Sequence, residues 1–164
     1  MIENDNTGYG SHLPFLEFIF KAFDSEIERV VEFGLGMNST LFFLKKSCIL
    51  RSIEMQDIDW LEHIKKQVSK TDYMINWFPS FKIDGDLNNF SPCADLAFID
   101  GSVESRVPCI QRMFEIEIPL IVAHDYECPV YHYELIQKPS EYFEIVFDNN
   151  GSKTVLFIHK TKLK

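Results

Sequence analysis

Two carboxylates and two glycines follow a pair of short apolar segments near the start of the sequence. Glu32 ends the first segment and is followed by Gly34 and Gly36, and Glu54 ends the second. Glu54 lies about 20 residues after Gly34, the spacing at which nucleotide-binding βαβ units place an acid that holds ribose hydroxyls. Glycines let the backbone turn sharply and approach a ligand closely. These residues therefore predict a nucleotide-like ligand at a strand-to-helix turn.

A second group of candidate residues follows two later apolar segments. Asp100 ends residues 94–100, and His124 and Asp125 follow residues 120–123. Open α/β sheets bind ligands at the carboxyl ends of their parallel strands, so we expect these side chains at the same site. His124 is a candidate general base for a substrate hydroxyl. A second interpretation is that His124 and Asp125 only order the loop. A third is that Asp100 and Asp125 hold Mg²⁺, although the sequence offers no convincing third ligand for the ion.

Four further features have two interpretations each. His12 either caps a helix, which the pattern favours, or covers the pocket, and Arg106 either pairs with an acid or holds an anionic substrate. Trp60 and Trp77 either border an adenine or pack in the core. An aromatic group either lines the acceptor pocket or lies half-buried on a helix; its members are Tyr126, Tyr131, His132 and Tyr133.

Strands and helices are predicted to alternate along the chain. The predicted strands are residues 29–33, 49–54, 73–83 (interrupted at 79–80), 94–100 and 120–123, and the predicted helices are residues 11–23, 38–46, 58–69, 107–117 and 130–138. Ser11 and Asp57 are predicted helix caps, and residues 84–86 a turn. Asn150 and Gly151, between residues 143–147 and 154–159, predict a β-hairpin. Alternation predicts a parallel α/β sheet covered by helices on both faces.

Composition bounds the class of protein. The chain has 164 residues, which suits one domain spanning residues 1–164, with residues 1–10 as a flexible lead-in. Its net charge of −9 argues against a nucleic-acid partner. The four cysteines form no zinc-binding pattern, and the acidic start does not resemble a signal peptide. No apolar run is long enough for a membrane span, so we expect a cytoplasmic protein.

Taken together, these motifs resemble those of class I S-adenosylmethionine-dependent methyltransferases. The similarity rests on Glu32-x-Gly34-x-Gly36, on Glu54 and on Gly85-Asp86, each after a predicted strand. Residues 98–101 (FIDG), 122–125 (VAHD), 9–14 (YGSHLP) and 104–108 (ESRVP) further resemble a subgroup of small bacterial and phage methyltransferase-like proteins. The resemblance covers residues 8–159, nearly the whole chain.

The resemblance implies a Rossmann-like, doubly wound, mostly parallel sheet of seven strands, in which a strand of the C-terminal hairpin lies antiparallel beside the fifth strand. It implies S-adenosyl-L-methionine as the cofactor. Glu32 and the glycines would face its methionine part, Glu54 its ribose and Asp86 its adenine amine, while Asp100 would border the sulfonium. Asn38 stands where many members have a third glycine. The implied cofactor-binding residues are Glu32, Gly34, Gly36, Asn38, Ser39, Glu54, Asp86 and Asp100.

The predicted function is methyl transfer to a small-molecule or other non-nucleic-acid acceptor by in-line displacement. Asp100, His124 and Asp125 are the predicted catalytic residues, and no metal is predicted. Alternatives are an inactive S-adenosylmethionine-binding subunit or regulator, and an enzyme that consumes S-adenosylmethionine without methylation. A nicotinamide dehydrogenase is disfavoured because Ser39 occupies its third glycine position. The sequence leaves open a homodimer or a partner subunit.

Overall fold

The computed structural model describes residues 10–46, 48–54, 58–68, 75–78 and 83–163. Its α-helices are α1 (Leu13–Ala22), α2 (Met37–Lys45), α3 (Ile58–Val68), α4 (Ile83–Asp86) and α5 (Val103–Glu115). Its strands are β1 (Arg29–Phe33), β2 (Ile49–Ile53), β3 (Ile75–Phe78), β4 (Leu96–Ile99), β5 (Leu120–His124), β6 (Tyr142–Asn149) and β7 (Ser152–His159). The described residues also contain five 3₁₀ turns: Asp24–Glu26, Leu87–Asn89, Pro129–Tyr131, Tyr133–Leu135 and Lys160–Lys162.

The strands of the described chain form one seven-stranded sheet in the order β3-β2-β1-β4-β5-β7-β6. The first five are parallel, and β7 runs antiparallel between β5 and β6. Phe33 pairs with both Ile53 and Ile99, and Ile99 pairs with Ala123, so the carboxyl ends of β1, β2, β4 and β5 are level. The α/β fold, the mostly parallel sheet and the antiparallel hairpin are confirmed.

Alternate strand residues bury two separate apolar cores, one on each face of the sheet. On one face, α1, α2 and α3 cover the strands with side chains such as Leu16, Phe43 and Leu61. On the other face, α5 contributes Cys109 and Met113. Each large apolar side chain buried in this way contributes roughly 2 kcal/mol to stability. The two cores hold the strand ends rigidly, and the candidate residues lie on those ends.

Several predicted elements differ from the structure. Residues 130–138 form two 3₁₀ turns rather than a helix, because His132 has a left-handed φ of 53° that separates them. Residues 84–86, predicted as a turn between strand three and the next element, belong to the single helical turn α4. Helix α5 starts at Val103, before the predicted start, with Pro108 inside it. The structure assigns the N-cap of α1 to His12 rather than Ser11.

Parts of other predictions lie outside the described residues. They are most of the proposed lead-in, the Asp57 cap, and residues 73–74 and 79–82 of the predicted third strand. No helix among the described residues is long and apolar enough to cross a bilayer.

Candidate functional site

The turn after β1 requires glycine for two reasons. Gly34 has a φ of +85°, which side chains rarely adopt, and a Cβ there would lie 2.5 Å from the backbone oxygen of Asp100. The backbone after β4 passes this close because the N–H of Asp100 donates to the carbonyl of Phe33 at 2.8 Å. At Gly36 a Cβ would lie 2.8 Å from Oγ of Ser39. The turn therefore packs directly against the strand end that carries Asp100.

Helix α2 begins directly after this turn with an open N-terminus. Its N-cap is Gly36, which has no side chain for capping, and its first turn contains no acidic residue. The partial positive charge of the first N–H groups is therefore not balanced by a carboxylate of that turn. Glu54, which is only 7% exposed, lies beside the turn and accepts a hydrogen bond from the N–H of Leu35 at 3.3 Å. This arrangement suits a ligand with both anionic and hydroxyl groups.

Glu32 lies beneath the turn, fully buried. Its Oε1 accepts a hydrogen bond from Ser39 at 2.6 Å, and its Oε2 accepts bonds from Thr40 at 2.8 Å and Ser52 at 2.6 Å. Burial raises the pKa of Glu32 to about 7, although the three hydroxyl bonds act in the opposite direction. In this structure Glu32 joins β1 to α2 and β2, and its contact with the methionine part of a cofactor stays a prediction.

The remaining predicted cofactor residues differ in their surroundings. Ser39 is buried and directed at Glu32, whereas Asn38 is partly exposed. A Cβ at Gly10 would come within 3.0 Å of Nδ2 of Asn38, so the segment before α1 passes over the start of α2. Asp86 ends α4 and is exposed. The structure thus brings the glycine turn, Glu54 and the Asp100 backbone together.

Asp100, His124 and Asp125 form a second cluster at the ends of β4 and β5. Each offers one ligand atom, and these atoms lie within 4.8 Å of one another. Nδ1 of His124 is 2.8 Å from Oδ1 of Asp125, a close polar contact without the alignment of a regular hydrogen bond. Burial raises the pKa of Asp100. For Asp125, burial has the same tendency, but the contact with His124 and the charge of Arg106 bring its pKa below the usual range.

Arg106 is the cation of this cluster. Its Nη2 lies 2.9 Å from Oδ1 of Asp100 and 3.5 Å from Oδ2 of Asp125. Its guanidinium lies 3.6 Å from the ring centroid of Tyr131. Tyr133 is buried and donates from its hydroxyl to the carbonyl of His124 at 2.7 Å. Of the sequence interpretations of Arg106, the structure therefore shows pairing with acids, and two of the four aromatic residues contact this cluster.

Ser11 and His12 also belong to the cluster; the sequence did not assign Ser11 there and gave His12 a place over the pocket only as the less favoured interpretation. Oγ of Ser11 is 2.9 Å from Nε2 of His124 and 2.7 Å from Oγ of Ser152. The ring of His12 meets that of His124 edge-on at 4.6 Å. Burial, with a further contribution from His124, lowers the pKa of His12 to about 3. His12 occupies the N-cap position of α1 without a side-chain capping bond, and its ring packs on the site.

The contacts of His124 define a direction for proton transfer. With the proton on Nδ1 facing Asp125, Nε2 is the basic nitrogen and accepts the Ser11 hydroxyl proton. Such a histidine takes up a proton at Nε2, and the adjacent carboxylate stabilises the resulting charge. The cluster can therefore perform general base chemistry at His124, about two strand spacings (about 10 Å) from the glycine turn, since β4 lies between β1 and β5 in the sheet.

Comparisons with known proteins found similarity in structure. No protein-family model and no curated protein matches the sequence. A putative O-methyltransferase from Klebsiella pneumoniae superposes with a TM-score of 0.71 at 15% identity, covering 97% of this chain and 83% of that one. An O-methyltransferase from Bacillus cereus in complex with SAH (S-adenosylhomocysteine) gives 0.71 at 13% identity, covering 96% and 84%. An SAH-bound methyltransferase from Podospora anserina gives 0.67 at 11% identity, covering 90% and 78%. The chain has the Rossmann-like fold of these enzymes.

Proposed function

We propose that this protein transfers a methyl group from S-adenosylmethionine to a small-molecule or other non-nucleic-acid acceptor. One observation supports this most strongly. The level ends of β1, β2, β4 and β5 place an uncapped helix N-terminus and Glu54 beside a histidine–carboxylate cluster. This combines a nucleotide-like donor pocket with a general base in a fold shared with methyltransferases crystallised with SAH.

On the donor side, each proposed role follows from the position of the residue. Glu54 accepts the ribose hydroxyls, because a carboxylate beside the turn can take two hydrogen bonds. The first N–H groups of α2 bind the carboxylate of the methionine part, since Gly36 leaves them uncapped. Asp100 borders the reacting centre. When bound, the cofactor supplies a sulfonium methyl group that is already reactive, so the protein's task is alignment.

On the acceptor side, His124 is the proposed base. Nε2 takes the proton of the acceptor hydroxyl, either directly or through Ser11, whose hydroxyl passes its own proton to Nε2 and receives the acceptor's. Asp125, 2.8 Å from Nδ1, stabilises the positive imidazolium. The net charge of −9 supports an acceptor without a phosphate backbone. The related O-methyltransferases support an oxygen nucleophile.

Isothermal titration with SAH tests the donor side. We expect SAH to bind the wild-type protein and to bind Glu54→Gln at least about tenfold more weakly, because one charge-assisted hydrogen bond contributes about 1.5–3 kcal/mol. Glu115→Gln is the matched control, since Glu115 is an exposed carboxylate paired with Arg112 and should leave the affinity unchanged. Absence of SAH and S-adenosylmethionine binding to the wild-type protein at millimolar concentration would refute the proposed function.

A further inference from the structure

The position between the two carboxylates at the ends of β4 and β5 is already filled by a positive charge of the chain itself. We infer that Arg106 is the built-in cation of this site, so that Asp100, His124 and Asp125 do not hold a divalent metal ion. Arg106 then acts as a positioning residue for the general base. The inference concerns the acceptor side and holds for any acceptor.

Hydrogen bonds hold the guanidinium on every side. Nε donates to the carbonyl of Gly101 at 2.9 Å, and Nη1 donates to the carbonyl of His124 at 2.7 Å and to the hydroxyl of Tyr133 at 3.2 Å. Nη2 faces the two carboxylates described above. Each of the three guanidinium nitrogens therefore donates at least one hydrogen bond, and Nη2 also makes the ion pair with Asp125. The side chain is only 4% exposed.

The same contacts exclude a metal ion. Mg²⁺ requires oxygen ligands at about 2.0–2.1 Å in octahedral geometry. Oδ1 of Asp100 already accepts a hydrogen bond from Nη2 of Arg106 at 2.9 Å. A divalent ion held there would lie within a few ångströms of a buried guanidinium that cannot lose its charge. The carboxylates are therefore neutralised by arginine, and the donor set does not fit a metal.

Arg106 also determines how Asp125 is oriented. Oδ2 of Asp125 faces Nη2 of Arg106, while Oδ1 faces Nδ1 of His124. The carboxylate thus lies between the guanidinium of Arg106 and the imidazole of His124, and it orients the imidazole through Nδ1. The bonds to the carbonyls of Gly101 and His124 join the end of β4 to the end of β5. Arg106 acts on the reaction through His124 rather than by contact with the acceptor.

Titration of Mn²⁺ into the chelator-treated, full-length protein tests the inference, with bound and free ion measured by electron paramagnetic resonance. We expect no binding to the wild-type protein below several millimolar. Arg106→Gln leaves both carboxylates and removes the charge, so Mn²⁺ should bind at least about tenfold more tightly. Arg106→Lys retains a positive charge and should show no such gain. Adding Asp100→Asn to Arg106→Gln should abolish the gain in Mn²⁺ affinity.

Two results would overturn the inference. One is sub-millimolar Mn²⁺ binding to the wild-type protein that Asp100→Asn removes, a measurement that does not depend on the folding of any Arg106 variant. The other is a folded Arg106→Gln protein with unchanged Mn²⁺ affinity. SAH titration in a chelating buffer separates this question from the proposed function, because loss of SAH binding would refute methyl transfer and leave the cation assignment standing.

Discussion

Glu32 should make the stability of this protein fall as the pH rises through the neutral range. Its pKa is about 7 in the folded protein, against an ordinary value of 4.5. Between these values the folded state binds more protons than the unfolded state, so stability decreases with increasing pH. The effect is absent below about pH 4.5 and complete above about pH 7.

The structure gives the size of this effect. The difference between 7 and 4.5 corresponds to about 3 kcal/mol, because each pKa unit is worth about 1.4 kcal/mol. Solvent does not reduce this value much, since Glu32 is fully buried. Glu32→Gln keeps the shape and the hydrogen-bonding capacity of the side chain but cannot ionise. The Ser39, Thr40 and Ser52 hydroxyls can rotate to accept from the amide.

Urea denaturation of both proteins between pH 4.5 and 8 measures the effect. Other groups titrate in this interval, so the informative quantity is the difference in unfolding free energy between the wild-type and Glu32→Gln proteins. We expect this difference to shift by about 3 kcal/mol in favour of the variant as the pH rises. Parallel pH profiles would refute the reasoning, because they would mean that Glu32 has the same pKa in both states.

Three further predictions concern the turn and the histidines. Gly34→Ala should lower the free energy of unfolding, measured by thermal or urea denaturation, by about 3 kcal/mol or more. Gly151→Ala is the control: its φ of +93° is similar but no atom lies within 4 Å of its Cβ, so it should lower the unfolding free energy by about 1 kcal/mol. Equal losses would contradict the close approach of the Gly34 turn to the end of β4. The wild-type protein should lose about 3 kcal/mol of unfolding free energy as the pH falls from 6.5 to 4.5, because the pKa of about 3 keeps His12 neutral in the folded protein while the unfolded chain takes up a proton. His12→Phe should remove this loss. An unchanged dependence of the urea midpoint on pH would contradict the prediction. His124→Gln should slow methyl transfer about 100-fold with an unchanged SAH affinity, whereas exposed His132→Gln should alter neither; equal activity in the two variants would exclude His124 as the base.

The parts of the fold that the sequence predicted are those encoded by local patterns. The apolar segments of β4 and β5 are short and continuous, as is typical of buried parallel strands. The Asn150–Gly151 pair predicted the hairpin because a tight turn needs positive φ, and both residues have it. The prediction of a helix over residues 130–138 was wrong because the helical spacing of apolar side chains does not reveal that His132 adopts a left-handed conformation.

The contacts within the site could not be predicted in the same way. Ser11 and His124 are 113 residues apart in the chain, and only the assembled sheet brings them within hydrogen-bonding distance. Sequence spacing places Asp100 and Asp125 at neighbouring strand ends, but the choice between a metal and Arg106 as their cation depends on side-chain geometry. The structural contacts of Glu32 could not be predicted either, because its three hydroxyl partners come from two separate segments, α2 and β2.

The strand order has a consequence for how this protein folds. The donor residues come from β1 and β2, the base from β5, and the two groups meet only where β1 pairs with β4. The backbone N–H of Arg29 bonds to the side chain of Asp95, 66 residues away, at the start of this pairing. Closing so long a loop is slow compared with forming local helices. We therefore expect β1–α2–β2, whose parts are close in the sequence, to form before the β1–β4 pairing that completes the catalytic centre.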